Sequence, residues 1–156
     1  MANYITKEGM QRLHQRMAEL VTIRSTVIKQ VVVAREMGDL SENAEYHAAR
    51  ERQRDVENEY NGIKTRIGKL QVIDSAKLPK DAVRFGAYVT IKEISNGVIR
   101  KQRLVGTDEI YPTDDGYERL SFASPIGKNM IGKKVGQHFV VKAPIGDREF
   151  EILEIK

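Results

Sequence analysis

The hydrophobic period of this chain changes once, and that change constrains the fold more than any other feature. Before Leu78-Pro79-Lys80-Asp81, apolar side chains recur at three- and four-residue intervals; after it they alternate. Met10, Leu13, Met17, Leu20, Val27, Val31 and Ala34 form a first series, with Arg24 at a seam position and Ile23 beside it. Tyr46, Ala49, Gln53, Val56, Tyr60, Ile63, Ile67 and Leu70 form a second, without slippage. A narrow seam repeating near every ~3.5 residues is the coiled-coil pattern, and neither stretch contains a proline. Between them, Gly38 can take the left-handed conformation that ends a helix, and Asp39 or Ser41 can cap the next one. So short a connection makes the helices antiparallel neighbours. Each arm of roughly 30 residues should reach about 40–45 Å at ~1.5 Å per residue. The first helix starts at Thr6-Lys7-Glu8-Gly9, where a glycine follows three residues after Thr6, so Thr6 is a plain cap and not half of a capping box.

Past the linker the pattern is that of strands. Tyr88-Val89-Thr90-Ile91 and Val98-Ile99-Arg100 flank Asn96-Gly97, a strong hairpin signal. Residues 103–105, 120–122, 139–141 and 149–153 read as further strands, Gly146-Asp147 as a second tight turn, and Ile126 to Lys134 as one short helix. The expected architecture is α+β: an antiparallel coiled-coil hairpin over residues 1–77, then a small, mainly antiparallel β-domain with a short helix over residues 78–156. A long hairpin beside a compact domain implies reach. The alternative is dimerisation, with the seam shared by two chains.

Composition excludes several chemistries. No cysteine is present, which removes disulfides, thiolate zinc sites, iron–sulfur clusters and cysteine nucleophiles. His14, His47 and His138 are scattered, which argues against a histidine zinc site. A metal here would have to be held by carboxylates, and so would be a hard ion such as magnesium. The net charge of +4 is spread evenly: residues 1–78 hold 13 Lys and Arg against 11 Asp and Glu, and residues 79–156 the same. That excess is too small to argue strong nucleic-acid binding by charge alone. The longest apolar run, Val31 to Ala34, is far short of the ~20 residues of a membrane span, and the N-terminus lacks a signal-peptide core. A soluble, cytoplasmic protein with no membrane partner is expected. Walker loops, dinucleotide fingerprints and nucleophile elbows are absent from the sequence.

The connection between the helices is the informative segment. Asp39 and Glu42 are three residues apart, which places both carboxylates on one side of a first helical turn, with Cβ atoms about 5–6 Å apart if both are helical. A pair so placed can share a divalent cation. The same spacing resembles a capping box, and acids there complement the helix dipole by ~0.3–1 kcal/mol each. Spacing alone favours the cap. Leu40 argues the other way, because an apolar residue between two acids at an exposed tip has no core to enter. His47 reads as a surface residue, and Arg50, Arg52 and Arg54 with Glu51 and Asp55 as a solvated helix face that could also brush RNA or a protein partner.

The run from Ala34 to Glu51, AREMGDLSENAEYHAARE, resembles the tip motif of the bacterial Gre transcript cleavage factors, in its GreA type. Ser124-Pro125-Ile126-Gly127, followed by Ile131-Gly132-Lys133, resembles the loop and short helix of that family's C-terminal domain, and Ile5-Thr6-Lys7-Glu8-Gly9 fits its start. The resemblance spans essentially the whole chain. It implies a hairpin that enters the secondary channel of RNA polymerase. It also implies a C-terminal domain similar to FK506-binding proteins (FKBP-like), without proline isomerase activity, that docks on the channel rim through Ser124, Pro125, Ile126 and Gly127. The acids Asp39 and Glu42 would be the catalytic and metal-holding residues, supported by Arg35, Leu40 and Asn43. They would help to hold a magnesium ion and a water while the polymerase cleaves its own backtracked RNA at the 3′ end.

Two-metal phosphodiester hydrolysis needs each ion clamped by oxygen ligands, and magnesium takes only one or two carboxylates from a protein alongside waters and phosphates. Two acids are therefore too few for a freestanding site but enough to complete one supplied by another protein. The expectation is a monomeric activator, with Mg2+ held jointly with the polymerase and none held alone, and no nuclease activity of its own. Asn43 could orient the water or an acid, and Arg35 could contact phosphate. A channel-binding regulator without cleavage activity is the alternative. Arg24 either loosens the hairpin or pairs with an acid on the second helix.

Overall fold

The computed structural model describes residues 3–38 and 43–156. The chain divides into two compact units, Met10–Leu70 and Met1–Gly9 with Gln71–Lys156.

The first unit is the helical hairpin. Its helices are α1 (Lys7–Arg35), whose first turn belongs to the other unit, and α2 (Ala44–Ile67). At ~1.5 Å per residue their 29 and 24 residues span about 44 and 36 Å. Leu20, Val27, Val31 and Ala34 are buried on α1, and Ala49 on α2. Every other seam position of α2 is half-buried, as its unbroken period requires. Arg24 resolves as a paired residue: its guanidinium lies 3.6 Å from Glu57 and 5.1 Å from the centroid of the Tyr60 ring. Arg16 makes a second cross-helix pair with Glu59 at 2.6 and 3.0 Å.

The second unit is built on a five-stranded sheet: β3 (Tyr88–Glu93), β4 (Ile99–Val105), β5 (Glu118–Ser121), β6 (His138–Val141) and β7 (Arg148–Ile155). Their order is β5-β4-β3-β7-β6, antiparallel except for β4–β5. The expected strands at 98–100 and 103–105 are one strand, since nothing interrupts the pairing of β4 with β3. Asn96-Gly97 closes the β3–β4 hairpin: Gly97 has φ +71° and the Asn96 side chain accepts from Val98 N–H at 3.0 Å. One face of the sheet carries the core, where Val89, Ile91, Leu104, Phe150 and Ile152 are essentially inaccessible. Phe139 and Phe150 stack there with centroids 5.3 Å apart.

The helix α3 (Pro125–Met130) covers that core and is shorter than the 126–134 expected. Ile131 already has extended backbone and Gly132 a left-handed φ of +84°, so no further turn forms.

The division expected at residue 77 follows chain order, whereas the units do not. The strand β1 (Tyr4–Thr6) pairs in parallel with β2 (Gln71–Ile73), which places residues 1–9 and 71–77 with the sheet domain. The Tyr4 ring packs against Phe85 and Phe122, with centroids at 5.6 and 5.9 Å. Strands of three residues carry no readable alternation, so this pairing has no sequence signature.

Candidate functional site

The hairpin end is shaped by what stops α1 and what starts α2. Beyond Arg35 the helical bonding tightens: Glu36 N–H is shared between the carbonyls of Val32 and Val33, and Met37 N–H returns to Ala34 O at 3.2 Å. Gly38 follows at φ +125°, a conformation that glycine alone adopts at no cost. Arg35 and Met37 are exposed there.

The residue that caps α2 is Asn43. Its backbone is extended, and its side-chain Oδ1 accepts from Tyr46 N–H at 3.0 Å. Its Nδ2 donates at 2.6 Å to Ala34 O, a carbonyl in the last turn of α1 that also accepts from Met37 N–H. One amide thus satisfies an orphan donor at the start of α2 and gives a second donor to a carbonyl at the end of α1. This corrects one expectation: Asn43, and neither Asp39 nor Ser41, is the N-cap of α2. The Asn43 amide is held at both ends, which fixes its orientation. The predicted catalytic and metal-holding pair, Asp39 and Glu42, lies outside the described residues, as do Leu40 and Ser41. Among the described residues, no group of three or more His, Cys, Asp or Glu could hold a metal ion. Asp39 and Glu42 are oxygen donors of the kind that magnesium takes, so the residue types expected at the tip fit that ion.

The arginines beside the tip behave as a solvated face. Arg50, Arg52 and Arg54 are not buried, and Arg52 donates to Gln30 on α1 at 3.1 Å.

The expected docking loop lies in the sheet domain. Ser124 is the N-cap of α3, its Oγ accepting from Gly127 N–H at 3.1 Å, and Pro125 occupies the first helical position. Gly127 is buried, and a Cβ on it would collide with Ser121 O and the Phe122 backbone. Ile126 is half-buried, with one side packed against the hydrophobic core. The exposed members of the loop are Pro125 and, beyond it, Lys128 and Asn129.

Residues 3–72 match the family described as "Transcription elongation factor, N-terminal", and residues 78–156 match "Transcription elongation factor, GreA/GreB, C-term". The chain belongs to the GreA/GreB family of transcription elongation factors. It is 39% identical over 152 residues to transcription elongation factor GreA of Thermodesulfovibrio yellowstonii, covering 97% of this chain and 94% of that one. It is 41% identical over 153 residues to transcription elongation factor GreA of Rhodospirillum rubrum, covering 97% and 96%. Within the family it is of the GreA type. The crystal structure of GreA factor homolog 1 (Gfh1) of Thermus thermophilus aligns over 100% of this chain and 99% of that one, with 21% identity and a TM-score of 0.45.

In this Gre-type elongation factor, an Asn directly before an apolar-periodic helix is itself a cap signal, but no local pattern announces its bond to Ala34 O. No helix among the described residues is long and apolar enough to cross a membrane.

Proposed function

We propose that this elongation factor inserts its hairpin into the secondary channel of bacterial RNA polymerase and stimulates the polymerase's own Mg2+-dependent cleavage of backtracked RNA. The observation that carries the reading is the capping of α2 by Asn43. Capping was the competing role for the acids of Asp39-Leu40-Ser41-Glu42, and Asn43 fills it. Two carboxylates in a connection between helices of about 36 and 44 Å are then best read as ligands carried to a distant centre. Membership of the GreA/GreB family supports the same reading.

In this proposal Asp39 and Glu42 supply one or two oxygen ligands to a magnesium ion whose remaining ligands belong to the polymerase and to the RNA phosphate. The ion, once bound, supplies polarisation of the phosphate and of the attacking water. Leu40, between the acids, makes the apolar contact that seats the tip. Arg35, exposed at the last turn of α1, is free to meet a phosphate oxygen near the RNA 3′ end. Asn43 acts one step removed, by fixing where both helix ends stop. The sheet domain docks on the channel rim with Ser124 and the exposed Pro125, while Ile126 and Gly127 hold that loop in shape. The factor works as a monomer in the cytoplasm and has no nuclease activity by itself.

The test is a purified polymerase stalled in a backtracked state with 3′-labelled RNA. Wild-type protein with Mg2+ should release a short labelled fragment. Asp39→Asn with Glu42→Gln should bind the polymerase equally and release none. Cleavage at the wild-type rate by the double variant would remove the ligand role. Binding without cleavage by the wild type would make the protein a channel-binding regulator.

A further inference from the structure

The sheet domain carries a second constellation that neither the tip nor the docking loop uses. Tyr88 opens β3 and Tyr117 precedes β5, and their rings meet edge to face with centroids 5.0 Å apart. Val89 and Ile91 point into the core, so Tyr88 and its cross-strand partner Arg103 face the other way, as does Lys101 two residues before Arg103 on β4. The Arg103 guanidinium lies over Tyr88 at 4.6 Å, and the ammonium groups of Lys101 and Lys156 each lie 5.9 Å from the Tyr117 centroid. Lys80, Tyr88, Asp115, Tyr117 and Lys156 line a cavity of about 290 Å³.

The charges there do not balance internally. Asp115 is the single side-chain carboxylate in the lining, and Arg119 already holds it through two bonds of 2.9 and 3.2 Å. Glu154 stands across β3 from Lys101, both paired with Thr90, without forming an ion pair with it. Lys80, Lys101 and Lys156 have no ion-pair partner among the described residues. Lys101 and Lys156 meet at the Tyr117 ring and Lys80 lines the cavity beside it, so like charges are gathered there that a ring needed only to cover the sheet would not call for. An anionic group entering the cavity balances those charges, and a flat one gains the tyrosine face as well. Aromatic platforms flanked by cations are how proteins hold single strands, with a base on the ring and phosphates on the cations.

We propose that this patch binds single-stranded RNA, with a base stacked on Tyr117 and successive phosphates on Lys80, Lys101 and Lys156. The backbone prepares the site: Lys156 N–H donates to Tyr88 O at 2.8 Å, and Tyr117 N–H donates to Asp115 at 3.0 Å. The contact needs no polymerase and stands apart from cleavage.

The test is fluorescence anisotropy of the full-length protein with a labelled oligouridylate as salt is varied, without polymerase. Replacing Lys80, Lys101 and Lys156 by Ala should reduce the log–log salt slope by about 2, at ~0.7 per phosphate contact on a single strand. Tyr117→Ala should weaken binding roughly tenfold, and Tyr117→Phe, which keeps the ring, should not. Circular dichroism of each variant checks that the fold persists, and cross-linking of 4-thiouridine-containing RNA to the Tyr117 peptide reports the site directly. The proposal is overturned by any of four results: no binding by wild type at low salt, an unchanged slope in the lysine variant, equal affinity for duplex RNA, or displacement by UTP as effective as by the oligonucleotide.

Discussion

Thr6 and Glu109 are 103 residues apart in sequence and share a buried carboxylate network. Glu109 is 1% exposed. Its Oε2 accepts from Thr6 N–H at 3.0 Å and from Gly106 N–H at 2.8 Å, and its Oε1 accepts from the Thr6 hydroxyl. The Thr6 hydroxyl oxygen in turn accepts from Gly9 N–H at 3.1 Å, capping the first turn of α1. The buried Glu109 carboxyl thus sits where the N–H groups of Thr6 and Gly106 converge, and these hydrogen bonds offset its desolvation. Together with the packing of Tyr4 on Phe85 and Phe122 and the burial of Ile5, this network holds the short β1–β2 ladder to the sheet domain.

Removing that carboxylate should therefore cost more than a surface change. Glu109→Ala strands the N–H groups of Thr6 and Gly106 without acceptors, at about 1–3 kcal/mol for each buried group left unsatisfied. Gly9→Ala tests the same junction sterically, since a Cβ there would run into the Glu109 carboxylate, and overpacking costs about 1–3 kcal/mol. Both should lower the urea midpoint of the sheet-domain transition and speed exchange of the Thr6 and Gly9 amides. An unchanged midpoint in Glu109→Ala would mean that the ladder is held by the packing of Tyr4 and Ile5 alone.

How much of this was legible beforehand depends on distance along the chain. The seam of α2 could be read residue by residue, because an unbroken period leaves one choice of buried face. The β3–β4 hairpin could be read because Asn96-Gly97 sets its turn locally. The Thr6 cap was equally local. The Glu109 anchor, the parallel β1–β2 pairing and the parallel β4–β5 pairing join residues that no local rule connects. The packing of Ile126 on the core is non-local in the same way, because an apolar residue in a loop motif carries no sign of the core beneath it. Asp39, Ser41 and Asn43 are all residue types that cap well, so the N-cap of α2 turns on where the chain re-enters the helix, which no local rule sets.

Asn43 offers a graded test of that junction. Asn43→Ala removes both the cap of α2 and the donor to Ala34 O, and should cost about 1–2 kcal/mol. Asn43→Asp keeps the acceptor for Tyr46 N–H but replaces the Nδ2 donor with an oxygen facing Ala34 O, so it should recover only part of the loss. Thermal melts followed by the helical signal give the order wild type, Asp, Ala. If Asp equals wild type, the bond to Ala34 contributes nothing and Asn43 is only a cap. In transcript cleavage, Asn43→Ala should lower the rate through loss of tip geometry while Asp39 and Glu42 remain intact.

Arg24 gives the opposite expectation. Its ion pair with Glu57 is partly solvated, at 32% and 37% side-chain exposure, and such pairs contribute only ~0–1 kcal/mol. Arg24→Leu would restore an apolar seam against Tyr60 and should leave stability unchanged or raise it by up to about 1 kcal/mol. Glu57→Ala should change it by less than about 0.5 kcal/mol. A clear loss of hairpin stability in Arg24→Leu would show instead that the stacking of the guanidinium on Tyr60 is the larger part of the contact.

Acid stability should report on Asp115. The hydrogen bonds from Arg119 pull its carboxyl down from 3.8 to about 2, assisted by the Tyr117 N–H and the Thr113 hydroxyl, against an opposing effect of burial. The folded state therefore releases this proton more readily than the unfolded chain. A depressed carboxyl stabilises fully above its unfolded value, and that contribution disappears as pH falls from about 4 through about 2. Glu93, held below its ordinary range by the Arg148 guanidinium, adds in the same direction. The Asp115→Asn variant should thus be less stable than wild type at pH 6, and the gap should close by pH 2. Denaturant midpoints across that range test the sign: a gap that stayed constant with pH would assign the loss to geometry at the Thr113–Tyr117 turn, while a closing gap assigns it to the charge. Because Asp115 also lines the lysine cavity, Asp115→Asn leaves Arg119 without its acid and should strengthen RNA binding at neutral pH, an outcome that the anisotropy assay measures on the same protein.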